Sequence, residues 1–414
     1  MRPRAATASV PAGPSPLHRN RDFVLLLGGE GVSSLGDAVT FTAMPLLVLA
    51  LTGSGLQMGI VGMLETLPDF LFGLPAGVLA DRWDRRRLML YSDAGRAVLT
   101  ALIPLSAWLG LPTMGVVLLV VGPINLLRVL WMAGWTAAVP SLVGRSQIGP
   151  AQSAFEAAFN LAFVLGPGLA GLLVAIIGPA PTIAVDAASF IASVVALALM
   201  RHPLRSAERT AGTHLARDIR DGLSFLVHHR LLRTVAAFWT FNGLGNAALI
   251  PALTYYMTRD LGLSPADLGL VLSAFGLGAL GGALAAMRLT RGPLGPLLLG
   301  GNLAQSLLLV AITTGVGVPV MALLAMAGGI AAEQVAVAYV TIRATVTPDE
   351  LLGRIGSATR VLSVGMQPLG LLVGGILLDA VHGAATLRFM GVFLVLVTAA
   401  FALSATMRSA RAAR

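Results

Sequence analysis

The sequence contains no cysteine and no lysine, and it has few charged residues of either sign. All 28 basic residues are arginines, and charged residues make up 11% of the 414 residues. The lack of cysteine excludes disulfides and thiolate metal sites. The lack of lysine excludes a Walker A phosphate loop, which needs a lysine on the nucleotide phosphates. The chain therefore does not hydrolyse ATP in that way.

The scarcity of charge goes with high hydrophobicity. Soluble domains carry about 25% charged residues, whereas this chain is 56% hydrophobic with a mean hydropathy of +0.84. Such a composition cannot cover a surface in water, so it indicates an integral membrane protein. The sequence shows no Ser/His/Asp grouping and no metal-ligand spacing, and its six histidines fall almost all in loops or tails. We expect no enzyme, no cofactor, no metal site and no nucleic-acid partner.

Long apolar segments recur along the chain. A helix that spans a bilayer needs about 20 apolar residues. Twelve segments qualify: roughly 23–50, 56–80, 88–109, 113–140, 153–177, 180–200, 232–257, 266–287, 294–315, 318–342, 356–379 and 384–407. Several gaps are short and rich in Gly and Pro, which favours antiparallel neighbours. The predicted fold class is an all-α membrane protein of twelve transmembrane helices in two six-helix pseudo-repeats.

The arginines alternate between the two sides of this arrangement. All but four fall in the tails and loops of one side. Arg259 and Arg388 fall on the other side, and Arg96 and Arg128 lie within spans. The positive-inside rule then places both termini and the long loop 201–231 in the cytoplasm of a multi-pass protein of the cell membrane.

The long loop divides the chain into two related halves. Its segment 214–229 has leucine and isoleucine at helical spacing with charges between them, which predicts an amphipathic helix on the membrane surface. With an offset of 204, small residues recur at equal depth in the fifth and eleventh spans, for example Gly166 with Gly370. Paired six-helix repeats are typical of secondary transporters, whose site lies near midplane between the halves. The predicted units are a disordered tail 1–21, a bundle 22–200, the linker 201–231, a bundle 232–407 and a tail 408–414.

Several motifs resemble those of the major facilitator superfamily. GVLADRWDRRR, at 77–87, resembles its signature Gly-x-x-x-Asp-Arg-x-Gly-Arg-Arg, with Asp84 where glycine is usual. The stretches GDAVTFTAMPLLVLALTGS, AGWTAAVPSLVGRSQIGPAQSA, GPGLAGLLVAIIGPAPTIAVDAASF and TPDELLGRIGSATRV look like its drug, macrolide and siderophore exporter branch. The resemblance covers both halves and implies a major facilitator fold with proton antiport.

The charged motif has an implied role in that family as a cytoplasmic latch. Asp81 would face the start of the eleventh span, where a carboxylate is favoured by exposed helix N–H groups. The resemblance implies a latch made of Gly77, Asp81, Arg82, Arg85 and Arg86, which holds the outward-facing state. The alternative is that these arginines only fix the topology.

A second motif, GPGLAG at 166–171, resembles the end of the family's antiporter motif, Gly-Pro-x-x-Gly-Gly, with Ala170 in place of one glycine. Pro167 removes a backbone hydrogen bond and kinks the helix. Gly166 and Gly171 permit close packing against a neighbouring helix. Ordinary small-residue packing is the alternative.

Ionisable residues near the middle of the spans form a third set. Placing an ionisable side chain in lipid costs free energy, so each of these residues is a candidate functional residue by default. Asp37, Asp69 and Arg128 fall at one predicted level, Glu333 is close to it, and Glu30 is two turns towards the cytoplasm on the face of Asp37. Arg128 resembles the family's fourth-helix arginine, which sits near the protonatable carboxylate. We expect these five residues to handle protons or line the substrate cavity; a static Asp–Arg pair is the alternative.

Other polar residues in the spans are weaker candidates. Asp93 and Arg96 have an Asp-x-x-Arg spacing and are expected to be structural. Glu65 and Asp69 are four residues apart, on the face of the second span that we expect to be turned towards the eleventh.

The sequence thus predicts a secondary transporter that exports amphiphilic small molecules, such as a drug, a macrolide-like compound or a siderophore, in exchange for protons. We expect a monomer in the lipid bilayer whose partners are the small-molecule substrate and protons. A facilitator or importer of a polar nutrient is the first alternative. A non-transporting membrane receptor or assembly factor is the second.

Overall fold

A computed structural model describes residues 16–201, 215–289, 292–348 and 351–410, and every regular element in those ranges is a helix. The first half contains α1 (Arg21–Thr52), α2 (Gly55–Arg82), α3 (Arg85–Trp108), α4 (Thr113–Val143), α5 (Ile148–Ile177) and α6 (Pro179–Leu199). Next comes α7 (Leu215–His228). The second half contains α8 (Arg230–Asn246), α9 (Leu249–Tyr255), α10 (Pro265–Leu289), α11 (Leu294–Ile312), α12 (Val318–Val346), α13 (Leu352–Gly365), α14 (Gln367–Ala402) and α15 (Ala405–Arg408).

The number of spans agrees with the sequence prediction. Among the described residues, nine ranges are long and apolar enough to cross a membrane. One of them, Val361–Ala402, holds two spans, because the backbone leaves the helical conformation at His382 (φ 63°, ψ 178°) and the chain then returns along α11. Helix α2 and the consecutive pair α8–α9 supply the remaining two. The predicted twelve-helix membrane fold is confirmed.

Short connections join the spans, and local capping explains two of them. Helix α1 ends at Gly53, whose φ of 64° is the left-handed conformation that glycine adopts most readily. Ser54 then begins α2 by accepting a hydrogen bond from the backbone N–H of Gln57. Asp84 begins α3 in the same way, accepting from the N–H of Arg87 at 3.1 Å. This N-cap gives Asp84 a structural reason to stand where the family motif usually has glycine.

Helix α7 connects the two halves and packs on α13 as well as α8. Leu226, which is 2% exposed, belongs to a small apolar cluster with Leu232, Ala236 and Ile355. The side chains of residues 215–219, 221 and 222 lie outside the described residues. The described part of α7 therefore uses one apolar face for contact with the second half.

Within each half the helices pack closely, and two helix pairs provide most of the contact between the halves. These pairs are α2 with α14 and α5 with α10. We call the side of the bundle that holds the beginning of α1 and the ends of α6 and α15 the terminal side, and the other side the distal side. Towards the terminal side, α2 separates from α14 and α5 separates from α10. The halves therefore form a cleft that is closed at the distal side and open at the terminal side.

Glycines allow the closest approach of these pairs near the distal side. A Cβ added to Gly59 would stand 3.0 Å from the Cα of Gly375, and one added to Gly171 would stand 3.0 Å from the Cα of Gly269. Larger residues would force the helices apart, so these positions fix how tightly the distal side closes. Nearer the terminal side, a Cβ on Gly73 or Gly77 would meet nothing within 4 Å.

Candidate functional site: a central cavity and a buried charge cluster

A cavity of about 350 Å³ lies between the halves, at the inner end of the cleft. Helices α1, α2 and α5 line it from the first half, and α8, α9, α10 and α14 line it from the second. Most of the wall is apolar, with Phe41, Phe163 and Phe275 among the aromatic side chains. The polar lining residues are Thr42, Thr66, Asn246, Gln367 and Glu65. The size and the mainly apolar wall with few polar groups are typical of a site for a drug-sized molecule.

Asp379, in α14, joins the two halves at the distal side. Its carboxylate accepts hydrogen bonds from the Ser54 hydroxyl at 2.8 Å and from the backbone N–H groups of Gly55 at 2.5 Å and Leu56 at 3.1 Å. An acid of the second half therefore caps the N-terminus of α2 in the first half, where the exposed N–H groups favour negative charge.

A second polar contact joins the halves at the distal side. The guanidinium of Arg259 donates to the carbonyl of Gly53 at 2.8 Å. In the sequence, Arg259 stands out only as an exception to the arginine pattern, and nothing singles out Asp379. Both stand at span ends, where charged residues are common, so no sequence pattern signals that they bridge the halves.

The contact between α2 and the second half ends in mid-membrane. The ring of Phe70 lies against Gly365, where an added Cβ would approach Phe70 Cε2 to 2.7 Å. Beyond this point Leu71 and Phe72 are exposed. On the other helix pair, Gly276 of α10 still faces Val164 of α5, whereas a Cβ on Gly281 would meet nothing within 4 Å. The structure is therefore open towards the terminal side.

A charge cluster centred on Arg96 lies inside the first half, where α1, α3 and α6 meet. Arg96 Nη2 pairs with Asp37 Oδ1 at 2.5 Å, and Nη1 lies 3.6 Å from Asp93 Oδ1. The Arg96 guanidinium also lies 4.0 Å above the ring of Phe190. Asp93 accepts further hydrogen bonds from the indole of Trp131 at 2.9 Å and the hydroxyl of Ser193 at 2.6 Å.

Two more carboxyls belong to this cluster. Glu30 accepts a hydrogen bond from Ser34 at 3.1 Å and is in electrostatic contact with Asp37, Asp93 and Arg96. Asp186 is likewise in electrostatic contact with Asp37 and Arg96. Four carboxyls thus surround a single guanidinium in the interior of the first half.

Asp37 is the member of the charge cluster that lies near the cavity wall. Its side chain is 41% exposed, while that of Arg96, its partner, is 4% exposed. Asp37 lies one helical turn from Phe41, which lines the cavity on the same face of α1. The sequence placed Asp37 at the level of Arg128, but the structure pairs it with Arg96, a residue that we expected to be structural.

Arg128 has a different partner from Asp37. It forms an ion pair with Asp69 of α2, and its Nε donates to Asn125 at 3.2 Å. Glu65 stands one turn along α2 from Asp69, towards the distal side, in the cavity wall. Glu333 lies apart from both groups: its Cβ packs against Gly282 of α10, within the second half.

The second half carries amides where the first carries charges. Asn302 hydrogen-bonds with Asn242 and donates to Thr398 at 2.8 Å. Gln305 donates to Asn246 at 3.2 Å, and Asn246 lines the cavity. The two halves are therefore electrostatically different, although their sequences are related.

Two arginines of the charged motif, GVLADRWDRRR, make contacts within the first half. Arg85 donates to the carbonyl of Ala137 at 2.7 Å, and Arg86 donates to those of Leu197 and Ala198 at 2.7 and 2.6 Å. Both arginines thus bind backbone carbonyls near the ends of helices in their own half. The side chains of Asp81 and Arg82 lie outside the described residues.

In the GPGLAG segment, only part of the motif faces the other half. Gly166 packs on Ala38 of α1, in its own half, where an added Cβ would lie 2.4 Å from the Ala38 Cβ. Gly171 packs on α10, as does the carbonyl of Pro167, and the N–H of Gly168 donates to the Ser273 hydroxyl at 2.9 Å. The motif therefore joins α5 both to α1 and to the second half.

Comparison with known proteins agrees with this architecture. The sequence profile of a family described as transmembrane secretion effector matches residues 12–413. The chain is 31% identical to the multidrug efflux pump Tap of Mycolicibacterium fortuitum, over 86% of this chain and 89% of that protein. It is 22% identical to macrolide efflux protein A of Streptococcus pyogenes, over 87% and 90% of the two chains.

Solved structures with the same fold include a bacterial homologue of the human lysosomal transporter Spinster, in an inward-facing and unoccupied conformation. That chain superposes with a TM-score of 0.76 at 14% identity, over 96% of this chain and 98% of its own. The nucleoside transporter NupG superposes with a TM-score of 0.75 at 13% identity, over 92% and 98%. The chain belongs to the transmembrane secretion effector family, in the exporter branch of the major facilitator superfamily, and is a membrane transporter rather than an enzyme.

Proposed function

We propose that this transporter exports amphiphilic small molecules, such as a drug, a macrolide-like compound or a siderophore, in exchange for protons. The observation that carries the proposal is the position of Asp37, which lies beside the cavity and is also part of the charge cluster around Arg96. A proton-binding group next to the cavity is what coupling needs, because its protonation changes the charge near the bound molecule.

Proton binding in the cluster follows from its charge balance. Glu30, Asp37, Asp93 and Asp186 share one guanidinium, so full ionisation leaves three uncompensated negative charges inside the first half. Burying uncompensated charge is costly, and proton uptake removes that cost. Asp37 is the exposed member, so it is the natural entry point for a proton from the cavity.

Alternating access supplies the transport step. The terminal side is the cytoplasmic side under the positive-inside rule, since nearly all arginines lie there. We therefore assign the protein to the cell membrane with both termini in the cytoplasm, and the conformation described above to an inward-open state. Asp379 and Arg259 hold the extracellular side shut, and a substrate enters the cavity from the cytoplasm.

The outward-open state needs a matching closure at the cytoplasmic side. We assign this to Asp81 at the end of α2, near the start of α13, with Arg82 beside it and Gly77 permitting close approach. Asp379 makes a similar contact at the distal side. It lies near the end of the first span of α14 and caps the beginning of α2, which runs antiparallel to that span. Arg85 and Arg86 brace α4 and α6 behind this latch.

The substrate class follows from the cavity wall and from the relatives. A wall of phenylalanine, methionine and aliphatic side chains with a few polar groups suits an amphiphilic molecule, and it offers little to a polar nutrient. The relatives named for multidrug and macrolide efflux support export of such molecules. One polypeptide contains both halves of the cavity, so a monomer suffices for this cycle.

A transport measurement in inverted membrane vesicles tests the proposal. A labelled macrolide should accumulate inside the vesicles when the lumen is acidic, and accumulation should stop when an ionophore collapses the pH gradient. Equal accumulation with and without the gradient would identify a facilitator. Gradient-driven loss of macrolide from the lumen would identify an importer.

A further inference from the structure

The two halves line the cavity with different side chains at equivalent positions of their repeats. With the repeat offset of 204 positions, Phe163 of α5 corresponds to Gln367 of α14. One helical turn further, Pro167 corresponds to Leu371. All four residues line the cavity, so both repeats turn the same helix face towards it. The first half therefore contributes an aromatic ring where the second half contributes a primary amide.

Most of the neutral polar side chains in the cavity wall have hydrogen-bond partners within the protein. The hydroxyls of Thr42 and Thr66 donate to backbone carbonyls of their own helices at 3.3 and 3.2 Å. The Asn246 amide donates to the backbone carbonyl of Asn242 at 3.1 Å and to its side-chain oxygen at 3.3 Å, and it accepts from Gln305 at 3.2 Å. The donor groups of these three lining residues are therefore in use within the protein.

The Gln367 amide differs from these side chains. It is partly buried in the cavity wall, and none of the described residues forms a hydrogen bond with it. Glu65, the remaining polar lining residue, is in electrostatic contact with Arg128. A primary amide offers two N–H donors and an acceptor oxygen, and shielding it from water costs free energy while it has no partner. A ligand that supplies the missing hydrogen bonds therefore gains affinity at Gln367.

An aromatic surface lies on the first-half side of the cavity. Phe41 and Phe163 have ring centroids 5.8 Å apart, and Phe159 stacks on Phe163 at 6.1 Å. Such rings bind apolar groups by contact of their faces and edges. A molecule with an apolar body and one hydrogen-bonding end can therefore contact this surface in the first half and the Gln367 amide in the second.

We propose that Gln367 selects substrates by a neutral hydrogen-bonding group, a hydroxyl or a carbonyl, at one end of an apolar molecule. The apolar body packs on Phe41 and Phe163, so the molecule lies across the boundary between the halves. The proposal rests on the proposed function, since it assumes that this cavity is the substrate site. It deepens that function by naming the chemistry of the substrate's polar end and the side chain that binds it.

Two molecules of the same shape, one with and one without a hydroxyl, provide the test. The probes are tritiated androstanol, a rigid steroid with a single hydroxyl group, and its analogue with a methyl group in place of that hydroxyl. Displaceable binding to the purified full-length protein is measured by equilibrium dialysis, with empty detergent micelles as the blank. Gln367→Met keeps the length of the side chain and removes the amide. It should weaken binding of androstanol by about two- to tenfold, the effect of one neutral hydrogen bond, and leave binding of the methyl analogue unchanged or stronger.

Two further variants serve as controls. Phe163→Leu reduces the aromatic surface, and it should weaken binding of both steroids by the same factor. Gln152→Met removes an exposed amide of α5 that is not part of the cavity wall, and it should bind both steroids as the wild type does. Gel filtration establishes that each variant is folded.

The outcomes separate this inference from the proposed function. A Gln367→Met variant with the wild-type ratio of the two affinities overturns the inference, and so does a wild type that binds neither steroid. Equal weakening of both steroids in Gln367→Met also overturns it, because that result would show a packing role. Dialysis involves no gradient, so a failure of proton-driven export in vesicles would leave a positive binding result standing, and the reverse also holds.

Discussion

Removing the carboxylate of Asp379 should shift the protein towards its outward-open state. The carboxylate accepts three hydrogen bonds across the distal side, from Ser54, Gly55 and Leu56. Hydrogen bonds to a charged group contribute about 1.5–3 kcal/mol when buried, and less at an exposed position such as this one. We therefore expect Asp379→Asn to destabilise the inward-open state by about 1–2 kcal/mol, which changes the ratio of the two states by about 5- to 30-fold.

Cysteine labelling measures this shift directly, because the chain has no cysteine of its own. Met58 is 2% exposed and lies in the cavity wall near the distal side. A Met58→Cys reporter in intact cells should react about 5- to 30-fold faster with a membrane-impermeant maleimide when the Asp379→Asn substitution is also present.

Asp267 provides a matched control for Asp379. It is a partly buried acid on the same side, but its carboxylate accepts hydrogen bonds from Ser264, within its own half. Asp267→Asn should leave the reaction rate of the reporter unchanged. If Asp379→Asn gives the same rate as Asp267→Asn, the contact does not hold the extracellular side shut and the reasoning is wrong.

The remaining predictions concern the same equilibrium between the inward-open and outward-open states. Gly171→Leu should also increase external labelling of the Met58→Cys reporter, since its side chain would collide with Pro265 and Gly269 of α10, whereas Gly149→Leu, in open space on the same helix, should not. Equal labelling in the two glycine variants would show that close packing of α5 on α10 does not control closure. Asp81→Ala should act in the opposite direction and lower external labelling, because it removes the proposed cytoplasmic latch; an unchanged rate would leave the motif as a topology signal.

The twelve-helix fold could be predicted from the sequence because its determinants are local. Apolar length defines each span, and Gly and Pro mark most of the turns between them. The break at His382 falls in the short gap predicted between the last two spans. Asp84, the departure from the family motif, is explained by a cap that involves only its neighbours in the chain.

The partners within the site could not be predicted in the same way. Depth along a helix places Asp37 and Arg128 at one level, but it does not say which way each side chain points or which helices adjoin. The structure pairs Arg96 with Asp37, and Arg128 with Asp69. Asp379 shows the same limit, because its role depends on a helix N-terminus 325 positions away in the sequence.

Transport by Asp37→Asn in proteoliposomes tests whether Asp37 couples proton movement to export. Two rates are compared for the same labelled macrolide: accumulation driven by a pH gradient, and exchange with unlabelled macrolide when no gradient is present. Asp37→Asn should abolish gradient-driven accumulation and retain exchange, because the cavity and both closures remain while the proton-binding group is gone. Accumulation by Asp37→Asn at the wild-type rate and with the wild-type response to the gradient would show that Asp37 does not couple proton movement to export.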